Sequence, residues 1–384
     1  MTIEGTRNNN EAYNSIREKK LMRSTGIVAC AFVLLAGLLL SGDLDAGSLE
    51  PPGPPGPTMK TLQQVESRIP ISVVPITIAA PGSYYLTGDL IGVAGQNGIN
   101  INSSFVTLDL NGFSLTGVSS SLDGIRTPFA TEHIVIRNGV IRNWGAAGIA
   151  ATLASEVHAE DLRVDNNVDD GVRVGVRSIV RGTTVTGNGA RGIVADAGSL
   201  ISGCTVGSNG TGVVAAASSV VSDTIALNNT LGTGISMTSG TISDCTAQGN
   251  ATGFSAGQGS RVVHSVARAN SLGISGPDGV AIEDCIVEFN TDDGIRVAGR
   301  GIVRGNLARN NTNEGIQATG NENRIEENES TANGAGIRVD GVNNVVVKNS
   351  VGSNNIEYLI AGGNKVGAIS TDPATAGPWA NFDQ

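Results

Sequence analysis

Three observations predict an all-β chain wound into a right-handed, single-stranded parallel β-helix solenoid, about thirteen turns of about 21 residues with a cap at each end. The first is a period. A glycine followed by an aliphatic or aromatic residue stands at Gly171, Gly192, Gly212, Gly234, Gly253, Gly273, Gly294, Gly315 and Gly336, with gaps of 19 to 22 residues. The second is composition: 53 of the 384 residues are Gly, 3% are aromatic and 16% are charged. That mixture fills a narrow interior with Ile, Val and Ala and does not suit a thick globular core. The third is that nothing after the Pro-rich linker sustains helical periodicity, whereas apolar residues separated by one recur as short strands with one inward face.

In chain order, Arg17, Lys19, Lys20 and Arg23 in the n-region 1–23 precede an apolar run from Gly26 to Leu40. Positive charge stays inside, so the remainder is expected outside the cytoplasm, secreted or anchored to the outer face of the cytoplasmic membrane. Segment 24–41 reads as a signal peptide or a signal anchor. Ile27-Val28-Ala29-Cys30 fits a lipoprotein-type pattern, but it opens the apolar run instead of closing it, which argues against lipidation. Residues 42–60, with Pro51-Pro52-Gly53-Pro54-Pro55-Gly56-Pro57, form a stiff polyproline linker. Segment 61–97 is expected as an N-terminal cap with the first strands, where Pro70, Pro75 and Pro81 limit pairing. The β-helix follows over 98–360, with earlier glycines at Gly98, Gly124 and Gly148 and Glu357-Tyr358-Leu359-Ile360 in the slot after Gly336. Segment 361–384, which brings Trp379 and Phe382, reads as the C-terminal cap.

Within each turn the pattern is aliphatic-x-x-small-x-aliphatic-x-x-Asn, a short bend, then Gly-Ile-x-Val, as in Ile282, Cys285, Val287, Asn290, Gly294, Ile295 and Val297. The Gly supplies either a positive φ or a close backbone approach. A column of asparagines runs Asn167, Asn188, Asn209, Asn229, Asn250, Asn270, Asn290, Asn311, Asn333, Asn354. At ~4.8 Å between turns their amides can stack and hydrogen-bond along the axis, so Asn250-Ala251-Thr252 is turn chemistry and not a glycan acceptor. A second column runs Thr183, Cys204, Thr224, Cys245, Ser265, Cys285, Asn306, Asn328, Asn349. Its cysteines alternate, ~9.6 Å apart, beyond the ~7 Å a disulfide spans, so free, buried, inert thiols are expected.

Ile-x-x-[Asn/Cys]-x-[Ile/Val]-x-x-Asn-x-x-Gly-Ile-x-Val resembles the right-handed β-helix repeat of the pectate-lyase-like superfamily, especially its bacterial NosD-like branch. APGSYYLTGDL (80–90) and VTLDLNGFSL (106–115) resemble the first turns of exported bacterial β-helix proteins. The resemblance covers roughly residues 60 to 384 and is specific for fold. That superfamily includes lyases, hydrolases, epimerases, adhesins and members with no assigned reaction.

Candidate chemistry lies in the outward slots. The hexapeptide Asp169-Asp170-Gly171-Val172-Arg173-Val174 recurs as Asp292-Asp293-Gly294-Ile295-Arg296-Val297, on the face where the resemblance implies that substrate is held. Asp292, Asp293, Asp169 and Asp170 are candidate Ca²⁺ ligands, and no other cofactor is expected. Arg296 is the candidate to bind a uronate carboxylate or, as the lyase resemblance implies, to act as the base in β-elimination beside Asp292 and Asp293. Asn313, Glu314 and Arg338 lie one and two turns further on and would share that surface. The plainer reading is turn chemistry, Asp-Asp-Gly making the bend and Arg solvating the outside. Asp223, Asp244, His264 and Asp284 form a second outward line, read either as an acid–base and binding cluster or as a solvated stripe.

Other patterns carry less. Gly187-x-Gly189-x-x-Gly192 matches a dinucleotide fingerprint with no helix after it, and Gly253-Phe254-Ser255-Ala256-Gly257 matches a nucleophile elbow in an ordinary repeat slot. There is no Asp-Pro-His of the alginate-epimerase type and no Gly-His-Gly with Arg-x-Lys of the polygalacturonase type. His133, His158 and His264 are too scattered for a zinc pattern. A net charge of −10 without a basic stripe argues against nucleic acid. The expectation is a monomeric, exported, non-catalytic scaffold or surface-binding protein contacting polysaccharide or another cell-envelope component. The alternative is a Ca²⁺-assisted polysaccharide lyase or epimerase acting on uronate polymers.

Overall fold

The structure is a computed structural model, and it describes residues 67–229 and 231–384. The n-region, the apolar run with Cys30, the Pro-rich linker and residues 61–66 lie outside the described residues. The described chain is a parallel β-solenoid with no α-helix among the described residues. Fourteen strands, from Ile76–Ile78 to Ile356–Ile360, stack in one sheet, and the other two sides of every coil merge into a second sheet. Periodicity alone counts thirteen turns. The additional one begins at Ile76, where Pro75 occupies the glycine slot, yet Ile76 N–H still donates to Gly98 O at 3.0 Å.

One turn illustrates the rest. Strand Ile295–Val297 lies on the fourteen-stranded face, Ile302–Arg304 and Leu307–Arg309 form the other two sides, and Glu314–Ala318 begins the next turn. Each of the three corners holds one residue in the left-handed region: Arg300 (φ 52°), Gly305 (φ 67°) and Asn310 (φ 53°). We call these the first, second and third corners. Register is kept throughout, with Ile274 paired to Ile295, Ile295 to Ile316 and Ile316 to Ile337. Those side chains point inward and are fully buried.

The glycine column is required by proximity. None of its nine members from Gly171 to Gly336 has a positive φ. A Cβ on Gly294 would stand 2.5 Å from Gly315 O and 2.8 Å from Asn311 Nδ2. Glycine therefore brings the Asn ladder and the next strand into contact.

Both interior columns form hydrogen-bond ladders. Asn229 donates from its backbone N–H at 2.9 Å and from Nδ2 at 3.0 Å to Asn250 Oδ1, and the step repeats from Asn167 to Asn354. Trp144 N–H closes one end on Asn167 Oδ1, and Glu357 accepts from Asn354 at the other. In the second ladder Cys245 N–H donates to Ser265 Oγ and Cys285 N–H to Asn306 Oδ1. Cys204, Cys245 and Cys285 are free and buried. Burial pushes the Cys204 thiol up to about 11 and those of Cys245 and Cys285 to about 12, so none forms a thiolate near neutrality. A third ladder, not read from the sequence, joins Gly301, Asn323, Asn344 and Asn364.

The end segments pair onto the coil. Ile69–Ile71 pairs with Gly82–Leu86, while Lys365–Val366 and Asn381–Asp383 join the sides opposite the fourteen-stranded face.

Candidate functional site

On the fourteen-stranded face every second side chain points outward, so residues one turn apart stand side by side. Both Asp-Asp-Gly-x-Arg-Val copies lie there, in the bend leading into the strand. In each, the first carboxylate is solvent-facing and the second is buried: Asp170 and Asp293 are 0% exposed.

The environments of the two buried carboxylates differ. Asp170 faces Arg191 on the next turn, which meets it at 3.1 Å through Nε and 2.8 Å through Nη2, while Arg173 Nε lies 3.1 Å away. Arg173 also bonds Asp169 at 2.7 Å. Two guanidinium groups thus neutralise this copy. In the second copy the residue one turn above Asp293 is Glu314. Burial, and a hydrogen bond shared with Glu314, push the Asp293 carboxyl up to about 6, against the opposing pull of Arg296. Burial works to raise Glu314 too, but hydrogen bonds from Asp293 and Arg338 outweigh it and hold its carboxylate below the usual range. Below about pH 6 Asp293 is therefore the protonated member of the pair.

Around this pair the outward groups interlock. Arg296 bonds Asp293 at 2.7 Å and Asp292 at 2.9 Å, and its Nε also reaches Gln317 Oε1 at 3.1 Å. Asn313 Nδ2 donates to Asp292 Oδ1 at 2.7 Å. Arg338 joins Glu314 at 2.9 Å to Asp340 at 2.8 Å, and Gln317 Nε2 closes the network on Asp340 at 3.0 Å. The structure thus brings Asp292, Asp293, Arg296, Asn313, Glu314 and Arg338 together. Sequence reasoning missed Arg191, Gln317 and Asp340. The first two were legible as the residues 21 positions after Asp170 and Arg296.

Asp244, His264 and Asp284 do not join that group. Together with Asp223 they occupy the left-handed position of the second corner, φ 50–55°, between two strands of the other sheet. His264 lies 4.0 Å from Asp244 and 3.8 Å from Asp284, and all three are more than half exposed, so water screens their attraction. Asp residues suit this corner because their short polar side chains tolerate the left-handed region.

No group of three or more His, Cys, Asp or Glu converges closely enough to hold a metal ion among the described residues. Asp292 and Asp293, like Asp169 and Asp170, spend their oxygens on arginines and amides. A shallow depression of about 220 Å³ lies between Gly249 and Thr291, at the edge of the face before Asp292, and Arg296 does not line it. Gly187 to Gly192 forms a corner and the start of a strand. Ser255 is a strand residue paired with Ser236 and Ser275.

Residues 87–231 and 231–371 match the family described as right handed beta helix region. No curated protein sequence matches the chain. Among solved structures it is similar to the PL6 family alginate lyase AlyGC, with a TM-score of 0.55 and 15% identity over 75% of this chain and 51% of that one. It spans about half of that lyase. It is also similar to the A-module of the Azotobacter vinelandii mannuronan C-5 epimerase AlgE6, with a TM-score of 0.47 and 15% identity over 79% of this chain and 90% of that module. These likenesses are of fold.

Proposed function

The chain belongs to the right-handed β-helix family, and from that premise we propose that it is an exported, non-catalytic protein whose fourteen-stranded face binds a polysaccharide of the cell envelope. The observation that carries this reading is the outward network from Asp292 to Asp340. Its carboxylates, guanidinium groups and amides already hold one another in fixed orientation, as preorganised saccharide recognition requires. The surrounding turns are short, so the face is open and accepts an extended chain lying along the axis. The apolar run from Gly26 to Leu40 behind four cationic residues supports export.

One observation favours a second reading. The raised carboxyl of Asp293 beside Glu314 and Arg296 is the kind of group a Ca²⁺-assisted lyase or epimerase acting on uronate polymers would use. The experiment that separates the two incubates the full chain with alginate and polygalacturonate, with and without Ca²⁺, following both retention on the polymer and unsaturated or epimerised product. Retention without product, weakened in Arg296→Ala, is the expected outcome. Calcium-dependent product that disappears in Arg296→Ala would transfer the site to the enzyme reading. Neither retention nor product would end both.

A further inference from the structure

The first corner changes character between Phe105 and Arg177. On later turns its left-handed position is held by Gly198, Ser218, Gly259, Gly279, Arg300, Glu322 and Asn343, of which only glycine enters this region at little cost. On four successive turns before them it is held by Phe105 (φ 59°), His133 (φ 54°), Glu156 (φ 55°) and Arg177 (φ 55°). Such backbone costs roughly 1–3 kcal/mol at each bulky residue. Burial does not repay Phe105, which is 59% exposed in a chain that is only 3% aromatic.

The four side chains form one continuous column. The Phe105 and His133 ring centroids are 4.9 Å apart, tilted by 33°. His133 Nδ1 lies 2.7 Å from Glu156 Oε2, and Arg177 Nε donates to Glu156 Oε1 at 3.2 Å. Because Glu156 engages only Nδ1 and Nε, His133 Nε2 and the terminal nitrogens of Arg177 have no protein partner among the described residues. The loops of the same corner add Phe129 and Leu153, 58% and 62% exposed. On either side of Phe129 the buried hydroxyls of Thr127 and Thr131 have no hydrogen-bond partner among the described residues. Exposed aromatic surface and unpaired polar groups therefore gather beside this column, which stability alone does not account for.

We propose that this corner is a second glycan-binding site, taking a short acidic oligosaccharide. The C–H face of a pyranose rests on the Phe105 ring, ring hydroxyls meet His133 Nε2, and a carboxylate is held by the terminal nitrogens of Arg177. The column spans three turn spacings, ~14 Å, along the axis. A protein partner fits less well, because single apolar side chains alternate with polar ones here, whereas a stable interface buries ~800 Å² on each side. The inference rests on the reading of the chain as a glycan-binding protein, but it uses a corner that the Asp292 network does not reach.

The test titrates the full chain with alginate and polygalacturonate oligomers, and with a neutral β-glucan oligomer as control, by calorimetry. Two variants probe the corner: Phe105→Ser, which installs the residue type that Ser218 already places there, and Arg177→Gln. Arg296→Ala probes the face. Two classes of acidic-oligomer binding are expected, one weakened about tenfold or more in both corner variants and retained in Arg296→Ala, the other, on the face, weakened in Arg296→Ala alone. Acidic-oligomer binding lost in Arg296→Ala but untouched in the corner variants would overturn the corner site and leave the face reading standing. Self-association of the chain that disappears in Phe105→Ser would overturn it as well, since the occupant would then be a second copy. No binding of any oligomer would sink both readings.

Discussion

Asp293 shows how much one neighbour decides. Its twin Asp170 sits in the same Asp-Asp-Gly-x-Arg-Val pattern with the same full burial, yet Arg191 stands above one and Glu314 above the other. The fold favours protonated Asp293, because its carboxyl is raised from the ordinary value to about 6. The stability it contributes is therefore fully present below the unfolded carboxylate value, ~4, and is lost as pH rises through about 6. Glu314 runs the opposite way: its lowered carboxyl contributes above ~4.5 and loses that contribution as pH falls. Asp293→Asn replaces the titrating carboxyl with an amide that stays uncharged at every pH, so the variant lacks this pH dependence. The melting temperature of the variant relative to wild type should thus rise between pH 4.5 and 7.5, on either side of that titration. Parallel melting curves across that range would mean that the Asp293 carboxyl is not raised.

At the scale of the element, the ladders and the glycine column depend on each other. Asn250 Oδ1 accepts from both the backbone N–H and Nδ2 of Asn229, so Asn250→Ala orphans two buried donors at once. A loss of about 2–4 kcal/mol in urea unfolding is expected. Asn354 sits at the partly exposed end of the same ladder, where water can replace Glu357, and Asn354→Ala should cost less. Equal losses would show that the ladder is not cooperative. Gly294→Ala drives a methyl against Gly315 O and Asn311 Nδ2, and should destabilise by at least as much as Asn250→Ala, about 2–4 kcal/mol. This dependence also explains what was legible in advance. Inward columns repeat because each turn must match the one below, so periodicity found the Asn and Cys columns and the glycine spacing. Outward slots carry no such constraint. Hence the grouping of Asp292 with Arg296, and the exchange of Arg191 for Glu314, could be read from the 21-residue spacing, but the Phe105 to Arg177 column, which lies in the more loosely spaced early turns, could not. The first turn was missed because Pro75 stands where the repeat has glycine.

For the whole molecule, a solenoid is only as stable as its ends, since each turn is held by its neighbours and an unpaired last turn exposes strand edges. The fourteen-stranded face ends in Ile356–Ile360, with Ile356 and Leu359 about half exposed. The other sides are closed by the last twenty residues. Asn381 accepts from the backbone N–H of Asn349 at 3.0 Å and from its Nδ2 at 3.1 Å, ending the second ladder, and Asn364 ends the third on Asn344. Asn381 is fully buried, whereas Asn364 is partly exposed. Asn381→Ala should therefore orphan donors that water cannot reach and destabilise the last turns by about 2–4 kcal/mol, with Asn364→Ala milder. Because coupling runs only between adjacent turns, amide exchange should quicken in Val345–Val347 and Ser350–Gly352 while strands near Ile193 keep their protection. Uniform acceleration along the chain would instead mean that the coil unfolds as one cooperative unit and that the C-terminal segment guards all of it. Deleting residues 363–384 goes further, uncovering Val346 and Val351 together with the edges of both strands that hold them. That variant should self-associate in light scattering at concentrations where the intact chain does not, and a truncated chain that stays dispersed would remove the capping role from this segment.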